Sequence, residues 1–285
     1  MSNNLLIETK EIGNHRIKIY YDIDAECPVT NWDMGANYIF EHLENGHYWL
    51  SSVCDWKEWC SNPRNESVES ILRDMAAEQV KQDDIIKFIK QGKVYGSRLA
   101  YNRSTHLWEV QGRYGRSGGG YSWEAEHEIE PADLKNADYR DELLENFEEE
   151  ELVALIQEYA KDFVLETWDS CGYSQGDHMR GIAYTTKERF DKYCGFNPKH
   201  YKTWQEQAKT IIEGEVKEIE MWAWGDVKGF VLEKKVPYTK HFQDSNREDE
   251  DDFDWEEVDS CWGYFMETED LINKVISEHN LKEAA

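Results

Sequence analysis

Between His15 and Tyr21 apolar and polar side chains alternate, with Ile17, Ile19 and Tyr21 set against Arg16, Lys18 and Tyr20. A period of two belongs to a half-buried strand, so a β-element is predicted over 16–22. The turn-forming stretch DIDAECPVTNWDMG follows, and NYIFEHLENGHYWL reads as a short helix stopped at Asn45-Gly46. From Glu66 to Gln91 the spacing changes. Val68, Ile71, Leu72, Met75, Val80, Ile85, Ile86 and Ile89 recur every three or four residues, which predicts one or two amphipathic helices closed by Gly92. Aromatics, glycine turns and alternation over 93–130 predict a small antiparallel sheet or hairpin.

Helical spacing returns after Pro131, where Leu143, Leu144, Phe147, Leu152, Leu155, Ile156 and Tyr159 form an inward face beneath an acidic outer one. RGIAYTTKERFDKYCG predicts a strand over 181–184 and a helix capped by Thr185 or Thr186 and ended by Gly195. The segment 202–225 reads as a longer helix that passes into a strand near Glu218. DVKGFVLEKKVPY and EEVDSCWGYFM read as the arms of a hairpin, and ETEDLINKVISEHNLKEAA as a terminal helix capped by Thr268. The pattern implies an α+β fold, with antiparallel sheets packed by several helices, an acidic central insertion and an acidic C-terminal hairpin loop. Its expected organisation is an N-terminal strand and turn (1–38), an insertion (39–166) and an α+β core (167–285).

Composition sharpens the functional question. The 285 residues carry 59 acids against 32 bases, a formal charge of −27. Such a charge repels nucleic acid and anionic membranes, and it points to a basic partner. No apolar run is long enough to span a bilayer and no leader pattern opens the chain, so a cytoplasmic location is expected. The six cysteines, sparse and outside any CxxC pair, read as reduced thiols. Oligomeric state is left open, a homo-oligomer included.

Acids concentrate in two places, 124–151 and 244–259. In the second, ten of sixteen residues are Asp or Glu, with Arg247 the one base. Duplex DNA carries one charge per roughly 1.7 Å of axis, and a fully acidic extended segment one per about 3.3 Å. Two adjacent segments would approach the density of DNA. The candidate partner-binding residues are Asp249, Glu250, Asp251, Asp252, Asp254, Glu148, Glu149 and Glu150, with Phe253 and Trp255 as apolar anchors among the acids. The plainer reading is a loop kept soluble by its charge.

Other clusters are weaker. Asp22, Asp24 and Glu26 would share a face if the strand ran on through them, and would then suit a divalent cation in a metal-dependent enzyme acting on a nucleotide or nucleic acid. In a turn, the same acids would cap backbone groups. His42, His47, Cys54 and Cys60 lack the tight pair usual in structural zinc sites. Cys171 and Cys261, in the echoing stretches WDSCGY and VDSCWGY, read chiefly as packing residues. GRYGRSGGGYSW lacks the Gly-Lys-Ser/Thr ending of a phosphate loop and fits a hairpin turn. No cofactor motif is present.

Three blocks, IYYDIDAECPVTNWDMG (19–35), WDSCGYSQGDHMRGIAYTTKERFDKYCG (168–195) and WGDVKGFVLEKK with VDSCWGYF (224–265), resemble a family of acidic proteins encoded by bacteriophages and other mobile elements. The resemblance covers about a third of the chain and departs at Cys27, where the family often has Ser. It implies a phage-like origin and, for an acidic protein of this kind, the disarming of a host defence or restriction complex.

Overall fold

The computed structural model describes residues 5–44, 47–59, 66–116, 119–171, 178–240 and 250–282. Along the chain lie β1 (Leu6–Ile12), β2 (His15–Tyr21), α1 (Pro28–Asn31), β3 (Asn37–Glu44), β4 (His47–Leu50), α2 (Val68–Gln79) and α3 (Gln82–Lys90). Next come β5 (Ser97–Asn102), β6 (Leu107–Arg116), β7 (Gly120–Ile129), α4 (Arg140–Leu144), α5 (Glu149–Tyr159), β8 (Phe163–Cys171), β9 (His178–Thr186) and α6 (Lys187–Tyr193). The order closes with α7 (Trp204–Ala223), β10 (Lys228–Lys240), β11 (Glu250–Tyr264) and α8 (Thr268–Glu278). This is an α+β protein, and among the described residues all strand pairings are antiparallel. No helix of the described residues is long and apolar enough to cross a membrane.

The chain divides into two compact units, 1–31 with 217–285, and 32–216, and the boundary falls within α7. These limits differ from the expected 1–38, 39–166 and 167–285. β3, which begins at the edge of the expected insertion, is hydrogen-bonded to β9 of the expected core.

In the first unit the sheet order is β1-β2-β10-β11. Ile17 and Ile19 of β2 lie opposite Leu232 and Phe230 of β10, and these four bury together with Leu271, Ile272 and Val275 of α8. Each such side chain contributes about 1.5–3 kcal/mol relative to exposure. On the other face of the sheet, the Trp262 ring lies against Gly229, where a Cβ would come within 2.1 Å of it, and 6.0 Å from the ring of Tyr20. Gly263, in the left-handed region at φ 80°, donates its N–H to Asp22 Oδ2 at 3.0 Å. The motif residues Tyr20, Asp22, Gly229, Trp262 and Gly263, scattered in sequence, thus meet as one packing arrangement.

The second unit holds the sheet β4-β3-β9-β8 and the three-stranded sheet β5-β6-β7. Around them α2, α3 and α5 bury Leu72, Met75, Phe88, Leu155 and Ile156. Thr186 caps α6 by accepting the Arg189 N–H at 3.2 Å. Gly35 donates its N–H to Glu215 of α7 at 2.6 Å, while its carbonyl accepts the Thr185 hydroxyl at 3.0 Å.

Three local expectations are corrected. NYIFEHLE is strand β3, not helix: Tyr38, Ile39, Phe40 and Glu41 are buried in succession, so both faces of the strand are covered and the alternation that would mark it is erased. α7 does not pass into a strand. Ala208, Ile212, Val216 and Ile219 keep helical spacing on its buried side as far as Ala223. α8 starts at Thr268 with Glu267, not Thr268, in the cap position.

Candidate functional site

The acidic segment is largely strand, not loop: residues 250–264 are β11, paired with β10 from Lys240↔Glu250 to Lys228↔Tyr264. Asp249 lies outside the described residues. β11 is an edge strand, and seven of its fifteen residues are carboxylic acids. The acids lie along the sheet edge, where the pairing carries a bulge between Glu257 and Asp259, whereas the buried core is built by β1, β2, β10 and α8 with Tyr264 at the far end of β11 packed against it.

Along the edge a local device recurs. Asp252 Oδ1 accepts the N–H of Phe253 at 2.9 Å, Asp254 Oδ1 that of Trp255 at 2.8 Å, and Asp259 Oδ1 that of Ser260 at 2.9 Å. Each aspartate covers the next residue's backbone donor, and its carboxylate is thereby held in place. The Tyr238 hydroxyl adds a bond to Asp252 Oδ2 at 3.3 Å.

Alternation sorts the rest. Asp252, Asp254 and Glu256 share a face with Tyr238, Val236 and Lys234, whereas Phe253 and Trp255 lie on the opposite face with Pro237 and Lys235. There Arg16 stacks 4.2 Å from the Trp255 ring, and Lys235 lies 4.7 Å and 5.2 Å from the rings of Phe253 and Trp255. The two aromatics therefore do not anchor the same surface as Asp252, Asp254 and Glu256, because neighbouring residues of a strand point to opposite sides.

The second acidic group is engaged inside its own unit. Glu148 caps α5 in a reciprocal box with Glu151, and acids in the first turn suit the positive end of the helix. Glu149 lies 3.5 Å from Arg180, and burial holds its carboxyl above the usual range against the pull of that guanidinium. Glu150 is exposed beside a cavity. The segments 124–151 and 244–259 belong to different units.

Asp22, Asp24 and Glu26 follow β2 instead of extending it. Asp22 Oδ1 accepts the Asp24 N–H at 3.3 Å and Oδ2 that of Gly263, so the acid serves as a turn cap. The strand face that would have gathered the three carboxylates does not form. Cys54 is buried and donates to the Ser51 carbonyl at 2.9 Å, while Cys60 lies outside the described residues. Cys171 and Cys261, read from sequence as packing residues, are exposed free thiols.

A different cluster is assembled by the β8–β9 pairing. Asp169 lies opposite Arg180 and Cys171 opposite His178, so all four side chains share one face. Ligand atoms of Asp169, Cys171 and His178 lie within 4.8 Å of one another, the one such trio among the described residues. His178 Nε2 is 2.6 Å from Asp169 Oδ1, and its Nδ1 is 2.5 Å from the Tyr48 hydroxyl of β4. Arg180 lies 4.4 Å from the Tyr48 ring and donates to the buried Glu41 at 2.9 Å. Asp169, Arg180, Glu149 and Glu150 also line an open cavity of about 460 Å³.

Sequence reasoning passed this cluster over. The usable signal was an Asp and a Cys two apart in WDSC, with a His in the following strand. No family model matches the chain, and no curated protein or solved structure matches it.

Proposed function

We propose that this chain is a phage-type acidic protein that binds the basic surface of a DNA-handling host defence or restriction complex in the bacterial cytoplasm and thereby inhibits it. One observation carries the reading: Asp252, Asp254 and Asp259 stand on the edge strand β11, each held by the backbone it caps. A charged group that is already ordered loses little conformational freedom on binding. Acids at alternate positions lie about 6.8 Å apart on one face, roughly half the linear charge of one DNA strand, which carries a phosphate per 3.4 Å. The row suits an Arg/Lys groove that normally tracks a phosphate backbone, and such association is fast and salt-sensitive. The three blocks that resemble phage-borne proteins support the choice of partner, and the charge of −27 speaks against nucleic acid or membrane as direct ligands.

The test is capture of partners from a bacterial lysate rich in defence systems, by the tagged protein and by a variant carrying Asp252→Asn, Asp254→Asn and Glu256→Gln. Washes at about 0.1 M and 0.5 M salt shorten screening from roughly 10 Å to a few. A DNA-processing complex should be retained by the parent protein, be lost by the variant, and have its nuclease activity inhibited by the parent protein alone. Recovery of only miscellaneous basic proteins that all leave at high salt would overturn the reading.

A further inference from the structure

We infer that Asp169, Cys171 and His178 form a binding site for a zinc-class divalent cation, independent of the acidic edge strand. The donor set decides the metal class. A thiolate, an imidazole and a carboxylate together suit zinc, whereas magnesium and calcium take oxygen ligands. Strand register supplies the convergence, since Cys171 and His178 are direct cross-strand partners and Asp169 is two residues along the same face.

The histidine is already oriented for the task. Its Nε2 faces Asp169 at 2.6 Å, where an ion would replace the proton shared by the two groups, and its Nδ1 faces the Tyr48 hydroxyl at 2.5 Å. With metal on Nε2, the Nδ1–H donates to Tyr48, the outer-sphere bond that fixes the tautomer of a ligating histidine. Zinc at about 2.0–2.2 Å from nitrogen and oxygen needs those atoms roughly 3.3 Å apart. The adjustment is small, and both groups have room for it: the Asp169 side chain is 64% exposed and that of His178 23%. Cys171 is a free, exposed thiol. Three protein ligands leave a fourth position to water. Asp169 belongs to both the cluster and the wall of the cavity that holds Arg180, so an anionic ligand on that position would have a cation nearby.

The experiment uses the full chain, reduced and stripped with a chelator, titrated with zinc chloride against a chromophoric chelator and with cobalt(II) in an absorption spectrum. One equivalent should bind, and cobalt should produce a thiolate charge-transfer band. Cys171→Ser should abolish the band, Cys171→Ser and His178→Ala should each weaken zinc binding at least about tenfold, and Tyr48→Phe roughly tenfold through the lost outer-sphere bond. Absence of stoichiometric binding would overturn the site. So would a band that persists in Cys171→Ser, which would place the ion on another cysteine, or zinc affinity unchanged in that variant, which would place it on surface carboxylates. The cobalt band of the parent protein needs no substitution, so the result does not hinge on a variant folding.

Discussion

Glu233 shows how a single carboxylate in this acid-rich chain becomes useful by finding bases. Its neighbours on the open face of the first sheet are Arg16 at 2.5 Å and Lys18 at 2.9 Å. Partial burial works against its ionisation, yet the two cations hold its pKa below the ordinary 4.5. A lowered folded pKa means that the unfolded chain takes up the proton first. The stabilisation is therefore complete above about pH 4.5 and is lost as pH falls through the lower folded value. Glu233→Gln should cost about 1 kcal/mol at neutral pH, the upper range for a partly exposed pair, and should flatten the loss of stability below pH 4.5 in denaturant titrations. An unaltered acid limb would show that the pair contributes nothing. Residues of this kind differ in how visible they are in sequence. Ile17 and Ile19 declare themselves by alternation, whereas the Glu233 pair, the Trp262–Gly229 contact and the Asp169–Cys171–His178 cluster depend on strand register, which one-dimensional spacing does not contain.

Among the elements, those with one buried and one exposed face were legible: α2, α3, α6 and α8 follow three- and four-residue spacing, and β6–β7 follows its glycine turn. β3 was not, because both its faces are covered, and β1 offered too polar a pattern to be noticed. β11 was half legible. Its C-terminal half reads as a strand, but Asp252 and Asp254 belong to a residue type that disfavours strands. They sit there because an edge strand leaves backbone donors facing outward, and each aspartate covers one. This separates two roles of the acids. Asp252→Ala with Asp254→Ala removes both cap and charge, whereas the corresponding Asn pair keeps an acceptor oxygen and removes only charge. The Ala pair should lose about 1 kcal/mol per cap and self-associate with rising concentration in sedimentation velocity. The Asn pair should stay at the parent's association state while losing partner binding. If both pairs sediment like the parent, the caps do not protect the edge.

At the scale of the whole molecule, charge was the most legible property and its arrangement the least. Composition gives −27, but not that Glu148 and Glu149 are spent on a helix cap and an ion pair in one unit, while the β11 acids line an edge in the other. Internal pairing cannot reduce the imbalance, since the acids exceed the bases by 27 however they pair. Each unit should therefore be under net self-repulsion, which competes with attractive pairs such as Arg16–Glu233 and Arg180–Glu41. Salt screens both terms, but exposed repelling carboxylates lie open to solvent, whereas the attractive pairs are partly buried and screened less. Raising sodium chloride from about 0.02 M to 0.3 M should thus raise the thermal midpoints, by roughly 2–4 °C for each kcal/mol of repulsion relieved. Choline chloride at the same ionic strength should do the same, because the effect is screening and not ion binding. Midpoints that fall with salt in differential scanning calorimetry would mean that attractive pairs dominate, and that the acid excess is spread widely enough to cost the fold little.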